Sequence, residues 1–237
     1  MKKALSLALV AALAGGSVAA QAYEEGDFIL RLGAATVDPD TDSAPVVLPP
    51  LSPGGDSVVL ENGVDVDEDT QLSIIPVWMP ADNWGVELLL ATPFKHDISL
   101  DLSPVANTDI AAGSTRHLPP TLSIQWYPRG GKSGWQPYFG VGLNYTYFFD
   151  EKVDNELLGT LNQLYGITKA KLDLDDSFGL AAQLGVDFPL SEHWAINAGI
   201  WYMDIATTAR IKTDAGTVKF DVDIDPLVYN LGIAYKF

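Results

Sequence analysis

The sequence predicts an all-β protein, an eight-stranded antiparallel transmembrane β-barrel with long extracellular loops and short periplasmic turns. Three observations support this prediction. Apolar side chains alternate with small or polar ones along eight segments, long and short connections alternate between these segments, and the amino terminus has the features of a secretory signal peptide. An even strand number with both termini on the periplasmic side is typical of bacterial outer-membrane barrels.

The amino-terminal segment Met1–Ala22 is predicted to be a cleaved signal peptide. Lys2 and Lys3 form its charged region, an apolar stretch covers 4–14, and Ala20-Gln21-Ala22 is a small-x-small cleavage site. We therefore expect the mature chain to begin at Tyr23 and residues 23–237 to form one barrel domain. No later apolar run reaches the roughly 18 residues that a membrane-spanning helix needs.

Composition excludes several classes of partner and site. Removal of Lys2 and Lys3 takes the formal net charge from −17 to −19, and such an acidic chain is a poor binder of nucleic acid, because phosphate neutralisation requires Lys and Arg. The chain has no cysteine and so no disulfide or thiolate metal site. The acidic run 65–69 lacks the glycine and late glutamate of a calcium loop. We expect no metal and no cofactor.

The first four strands are expected over 26–37, 70–79, 84–91 and about 118–127. Their outward faces are apolar: Phe28, Leu30, Leu32, Ala34; Leu72, Ile74, Trp78; Trp84, Val86, Leu88, Leu90; Leu122, Ile124, Trp126. Arg31 has the opposite parity and must point into the lumen, because a basic side chain facing lipid costs roughly 2–4 kcal/mol near the midplane. Glu87 and Leu89 also point inward.

The last four strands are expected over 135–149, 175–188, 194–207 and 227–237. The final strand shows the pattern most clearly, because one face is apolar throughout and the other is small or polar. The apolar face carries Leu227, Tyr229, Leu231, Ile233, Tyr235 and Phe237. Such a strand suits a wall with lipid outside and a lumen inside.

The connections alternate in length. Three short turns follow the second, fourth and sixth strands and are flanked by aromatic pairs: Trp78 and Trp84, Trp126 and Trp135, Phe188 and Trp194. This is the aromatic girdle of a membrane interface. Four long loops cover 38–69, 92–116, 150–173 and about 209–220, and the third is expected to contain a short amphipathic helix, because apolar residues recur at helical spacing from Leu157 to Tyr165.

A soluble lipocalin-like barrel is the alternative fold. It would place its large aromatic residues inside and its polar face outside, so Arg31, Glu87 and Lys236 would face water. Outward tryptophans around each short turn gain nothing in water, so the pattern favours the membrane barrel.

The predicted lumen mixes polar and apolar side chains. Arg31 and Glu87 share it with Leu89, Trp201 and Met203. An eight-stranded barrel is just wide enough to be filled by side chains or to hold one small ligand, which excludes a general diffusion pore. The inward apolar residues either form a slot for a hydrophobic molecule or simply pack the interior.

Prolines mark the junction of the third and fourth strands. Pro93 ends the third strand, and Pro119 and Pro120 begin the fourth. Proline donates no ladder hydrogen bond, so this seam should be weakly paired. The seam is either a lateral exit into the bilayer or only a pair of strand ends.

Several separated motifs resemble the OmpW family of outer-membrane proteins. They are Gly85-Val-Glu-Leu-Leu-Leu-Ala-Thr-Pro-Phe94, His117-Leu-Pro-Pro-Thr-Leu122, Tyr145-Thr-Tyr-Phe-Phe-Asp150, Trp201-Tyr-Met-Asp-Ile205 and the end of the chain from Asp225. The resemblance implies an eight-stranded barrel with an apolar interior that takes up small hydrophobic compounds, with Leu89 and Trp201 constricting the lumen. The long proline-rich first loop departs from the family pattern.

The expected location is the outer membrane of a Gram-negative bacterium. Expected partners are outer-membrane lipids and lipopolysaccharide, small hydrophobic ligands, and the barrel-assembly machinery, since the terminal Phe237 resembles the signature which that machinery reads. Asp221, Asp223 and Asp225 are expected above the hydrocarbon, where they could share divalent cations with lipopolysaccharide.

Two other functions stay open. The chain could be a structural or adhesive barrel that displays acidic loops. It could also be a lipid-modifying enzyme in which His96 and His117 approach each other at the rim beside Ser114 and Asp97, while His193 lies in a periplasmic turn. We expect a transporter and no enzymatic activity.

Overall fold

The computed structural model describes residues 23–40, 42–43, 46–48, 58–60, 63–101 and 109–237. The expected signal peptide and most of the proline-rich part of the first loop lie outside these residues. The elements are β1 (Phe28–Asp38), β2 (Asp42–Ser43), β3 (Val46–Leu48), β4 (Val58–Leu60), β5 (Val64–Val66), β6 (Asp69–Ala81), β7 (Trp84–Ala91), β8 (Phe94–Asp101), β9 (Asp109–Leu118), β10 (Thr121–Trp126), β11 (Gln136–Val153), α1 (Asn155–Tyr165), β12 (Ala170–Leu174), β13 (Ser177–Pro189), β14 (Trp194–Met203), β15 (Ala206–Thr213), β16 (Gly216–Asp223) and β17 (Leu227–Lys236).

Eight strands close into an antiparallel barrel, as predicted. The order around the wall is β1, β6, β7, β10, β11, β13, β14 and β17, and β17 pairs back with β1. Each of these eight strands has a paired neighbour on both sides, which a membrane requires because lipid cannot hydrogen-bond to backbone groups. Three short turns define one end of the barrel, here called the turn end. The opposite end is called the loop end.

The outer wall is apolar and the inner wall is small or polar. In β17, Leu231 is 63% exposed, while Val228 and Ala234 face inward and are buried. The aromatic residues beside the short turns also point outward and are about half exposed, as Trp84 and Trp194 illustrate. In water this surface would be a large unfavourable patch, whereas hydrocarbon accepts it.

The barrel closes at a point of very close backbone approach. Gly33 of β1 lies opposite Gly232 of β17. A Cβ on Gly232 would lie 2.2 Å from the carbonyl oxygen of Leu32. Only glycine therefore fits at this junction of β1 and β17 without moving the backbone.

Above the barrel, two smaller sheets extend the wall at the loop end. One contains β5, β8 and β9 and joins the upper part of β11, and the other contains β12, β15, β16 and β2. Helix α1 packs on β9 through Leu157 and is capped by the Asp154 side chain and by Gly166 in a left-handed conformation. The short helix predicted for the third loop is thus confirmed. No helix in the described ranges is long and apolar enough to cross a membrane.

All four predicted long loops contain strands. The first contains β2 to β5, and the third contains the end of β11 and most of β12. Residues 94–101 and 109–116 belong to the hairpin β8–β9, and residues 209–220 belong to the hairpin β15–β16. Strand boundaries move accordingly: the fourth barrel strand begins at Thr121, the fifth extends to Val153, and the seventh ends at Met203. The physical reason is that these hairpins stand above the lipid, so their apolar residues face inward and their charged residues, such as Lys95 and Asp97, face water.

The row of apolar side chains that runs along β7 and β8 turns from lipid to the interior at Pro93. Even-numbered residues of β7 point outward to lipid, whereas even-numbered residues of β8, such as Phe94 and Leu100, point inward and are buried. The ladder slips by one residue over the same stretch, since Leu89 pairs with Thr121 but Phe94 pairs with His117. A slip of one residue reverses which face a side chain occupies.

Candidate functional site

A charged layer fills the lumen near the turn end. Arg31 lies at its centre, 2.8 Å from Glu87 Oε2 and 2.6 Å from Asp187 Oδ2, and all three side chains are at most 1% exposed. Arg31 also donates to the hydroxyl of Tyr127 and lies 4.4 Å from the centre of the Tyr138 ring. These charge-assisted contacts explain how the barrel tolerates buried charge.

Neutral polar groups extend this layer across the lumen. Gln125 donates to Glu87 at 2.6 Å, and Asn197 donates to Asp187 at 2.8 Å. Tyr23, expected to begin the mature chain, is buried at the turn end and donates its hydroxyl to Asp187 at 2.9 Å. We call this set the plug, with Arg31, Glu87 and Asp187 at its centre. It occupies the lumen at this level with packed side chains.

The predicted lumen residues Leu89, Trp201 and Met203 do point inward. They lie on the loop-end side of the plug and are 3%, 0% and 0% exposed. Met203 Sδ accepts weak hydrogen bonds from Thr121 and Asn144 at 3.8 and 3.7 Å. The indole Nε1 of Trp201 is buried on the side of the Glu87 carboxylate. These residues are packed against their neighbours and do not line the cavity described next.

An apolar cavity opens above the barrel between the two extension sheets. Its volume, as the space that the centre of a water molecule can occupy, is about 80 Å³. Its walls come from β5, β8, β9, β11, α1, β12, β15 and β16, and its apolar lining includes Val66, Ile98, Leu100, Leu157, Leu172, Ile211, Phe220 and Val222. This almost wholly apolar lining suits a small hydrophobic molecule. We call it the outer cavity.

Two histidines lie in the lining of the outer cavity. His96 and His117 are 3% and 5% exposed, and their Nε2 atoms are 2.8 Å apart. The predicted approach of these residues at the rim is therefore confirmed. His96 Nδ1 lies 2.5 Å from the backbone oxygen of Asp67, and the His117 ring packs against Phe94 and Phe148.

Burial keeps both imidazoles neutral. Desolvation, with a smaller contribution from the neighbouring His96, lowers the pKa of His117 to about 3, and burial also lowers the pKa of His96. Both nitrogens of His96 are engaged, one by a carbonyl and one by an imidazole, which is not the arrangement of a catalytic base beside a serine. His193 lies at the turn end and stacks on Tyr235, far from this pair in the fold.

The strand ladder is interrupted at the predicted seam. The last pair between β7 and β10 is Leu89 with Thr121, and pairing resumes at Phe94 with His117. The carbonyl of Pro119 accepts hydrogen bonds from Thr121 and Asn144, which lie on the lumen side. Pro93 is exposed, Pro119 is buried and Pro120 is partly buried. We call the unpaired stretch between these two pairs the seam.

The outer cavity was missed by the sequence analysis, which placed most of its lining in loops. Asp187, the second carboxylate of the plug, was missed as well. Its inward position could have been predicted, because Asp187 alternates with Leu184, Val186 and Phe188, which form the outward face of the strand. The acidic run at 65–69 holds no metal-binding group of three or more ligands within the described residues.

Comparison with known proteins agrees with this architecture. A model of the OmpW family matches residues 24–237. The chain belongs to the OmpW family. It is 41% identical to outer membrane protein W of Vibrio cholerae over 232 residues, covering 98% of this chain and 97% of that protein. It is 40% identical over 238 residues to outer membrane protein W of Escherichia coli K12, covering the whole of both chains.

A solved structure of the same kind is also similar. The crystal structure of outer membrane protein OprG from Pseudomonas aeruginosa matches with a TM-score of 0.77 at 42% identity, covering 92% of this chain and 99% of that one. The OmpW-family chain is thus an eight-stranded β-barrel of the Gram-negative outer membrane. The loop end accordingly faces outward from the cell and the turn end faces the periplasm.

Proposed function

We propose that this OmpW-family barrel takes up small hydrophobic molecules, which bind in the outer cavity and leave sideways through the seam into the bilayer. One observation carries the proposal: an apolar cavity stands directly above a lumen that is filled by a charged plug. A hydrophobic molecule gains by entering the cavity, but to go straight through it would have to displace buried ion pairs.

The seam offers a path of matching chemistry. The first ladder pair above it, Phe94 with His117, belongs to two strands that line the outer cavity. Along β8 and β7 the same apolar face passes from the cavity wall to the lipid surface across Pro93. Thr92 lies on that face and donates to Gln71, and charged residues such as Asp69 and Lys95 surround Pro93 on its outer side, so the path for a hydrophobic molecule is confined to the apolar row. The unpaired backbone leaves fewer hydrogen bonds to break.

The lumen residues have supporting roles in this proposal. Leu89, Trp201 and Met203 close the lumen behind the seam with apolar surface. Arg31 and Glu87, with Asp187, block the periplasmic half. The proposal assigns transport rather than catalysis, and the engagement of both His96 nitrogens supports that choice.

A reversible lock across the seam tests the route. The chain contains no cysteine, so Leu90→Cys with Pro120→Cys would introduce a single pair, placed by continuing the register of β7 and β10 one step beyond Leu89 and Thr121. The matched control is Leu88→Cys with Leu122→Cys, a pair already joined in the same ladder. Uptake of radiolabelled naphthalene is measured in cells expressing each variant, before and after reduction.

The outcomes separate three functions. Lateral release predicts that oxidation slows uptake in the seam variant, that reductant restores it, and that the control pair is indifferent to both treatments. Uptake that exceeds vector-only cells but ignores oxidation would mean passage through the lumen. Uptake equal to that of vector-only cells would reject transport and leave a barrel that only displays its loops.

A further inference from the structure

The hydrogen bonds of the histidine pair define where its protons lie. The backbone oxygen of Asp67 can only accept, so His96 carries its proton on Nδ1 and donates to that oxygen. A neutral His96 then has a bare Nε2, which must accept from Nε2–H of His117. His117 is left with its lone pair on Nδ1.

That lone pair has no partner. His117 Nδ1 is buried and makes no hydrogen bond, and among the polar side chains that line the outer cavity in the described ranges it alone is left in this condition. The other polar lining groups are used: Thr146 donates to Asn144 and Thr207 donates to the carbonyl of Asp175. A buried acceptor without a donor is costly, so each such group in a native protein requires an explanation.

We propose that His117 is the polar anchor of the outer cavity and that the preferred ligands have an apolar body and one hydrogen-bond donor, a hydroxyl or amide N–H, which binds His117 Nδ1. This inference rests on the proposed function, since it names the class of hydrophobic molecule that the cavity takes. Apart from its bond to His96, the His117 ring is held by aromatic contacts with Phe94 and Phe148. Because Nδ1 is buried against these rings, binding of a ligand requires the His117 ring to tilt about its bond to His96.

The arrangement also sets the orientation of the ligand. His117 pairs with Phe94 immediately above the seam, so a donor bound at Nδ1 brings the polar end of the molecule to the inner side of the exit. The apolar body lies against the extension sheets. A fully apolar molecule would still enter, but would lack this one directional contact.

Binding of two matched probes tests the anchor. The probes are 2-naphthol and 2-methoxynaphthalene, which share a fused ring, while only the first can donate. Affinities are measured by calorimetry for the purified barrel in one detergent, so that micelle partitioning is common to all variants. Wild type should bind 2-naphthol roughly three- to tenfold more tightly than 2-methoxynaphthalene, which is the difference in affinity expected for one hydrogen bond. His117→Phe should remove this preference, and His193→Phe, the same substitution at the turn end, should keep it.

Each result discriminates between the two proposals. If neither probe binds wild type, the proposed function fails and the anchor fails with it. If both probes bind without preference, or His117→Phe keeps the preference, the cavity stands and the anchor is wrong.

A second measurement does not depend on any variant folding. The chain has three histidines, and in ¹⁵N-histidine-labelled wild type the ring signals should show His96 protonated on Nδ1 and His117 protonated on Nε2. 2-Naphthol, but not 2-methoxynaphthalene, should shift the His117 Nδ1 resonance. A proton found on His117 Nδ1, or equal shifts with both probes, overturns the inference.

Discussion

Replacement of Arg31 by methionine should destabilise the barrel far more than the same replacement at the surface. Arg31 is fully buried and neutralises two carboxylates, Glu87 at 2.8 Å and Asp187 at 2.6 Å, which are themselves 0% and 1% exposed. Its loss leaves both acids buried without a cation. Breaking a buried pair in this way costs roughly 3–5 kcal/mol. Arg116→Met is the matched control, because Arg116 is half exposed and 3.7 Å from Asp150, where a surface pair contributes at most about 1 kcal/mol.

Equilibrium urea unfolding in lipid vesicles, followed by tryptophan fluorescence, measures the difference. A third variant adds Glu87→Gln and Asp187→Asn to Arg31→Met, which removes the stranded charges and should recover at least half of the lost stability. If Arg31→Met and Arg116→Met lower the free energy of unfolding by amounts within about 1 kcal/mol of each other, the buried layer is not electrostatically coupled as the distances indicate.

Two further predictions concern the histidine pair and the junction of β1 and β17. Because the pKa of folded His117 is about 3 and that of an unfolded histidine about 6.5, the unfolded chain binds more protons between these values. The free energy of unfolding should therefore be independent of His117 above about pH 6.5 and should fall as the pH drops below that value. At pH 5 His117 should account for about 2 kcal/mol of the loss, and this part should be absent in His117→Phe. Equal pH profiles of the two proteins would contradict this. Gly232→Ala should reduce the fraction of heat-modifiable, folded barrel on gels, because the new Cβ meets the backbone of β1. Gly159→Ala on α1 is the control, since its Cβ has open space and should stabilise the protein by up to about 1 kcal/mol. A folded Gly232→Ala barrel of wild-type stability would refute the clash.

The membrane wall could be predicted from the sequence because lipid imposes one rule on every strand. Each outward position must be apolar, so alternation alone assigns faces, including the inward position of Glu87, and the cost of a charge in lipid places Arg31 inside. Which charges meet across the lumen could not be read in the same way. Arg31 and Asp187 are 156 residues apart, and their contact depends on the closure and stagger of the whole barrel.

The outer cavity escaped prediction for a reason that bears on function. From Trp84 to Leu100, even-numbered positions are apolar almost without interruption, Thr92 and His96 being the exceptions, which taken alone suggests one continuous lipid-facing strand. The odd-numbered residues change instead, from Gly85, Leu89 and the single acid Glu87 below Pro93 to Lys95, Asp97 and Asp101 above it. The structure resolves this by reversing the faces at Pro93, so that the apolar row leaves the lipid and enters the cavity while the charged row turns to water.

The proline therefore has a second consequence besides the loss of a ladder hydrogen bond. It joins two apolar surfaces that a regular strand would keep on opposite sides of the wall, since the row that faces lipid in β7 is the row that lines the cavity in β8. A transporter for hydrophobic cargo needs such a junction, because its substrate must pass from a site in the extracellular region to hydrocarbon without crossing a polar barrier. A barrel that only displays loops has no use for it. The position of the face reversal, immediately beside the histidine pair and at the interrupted ladder, thus favours lateral transport over display.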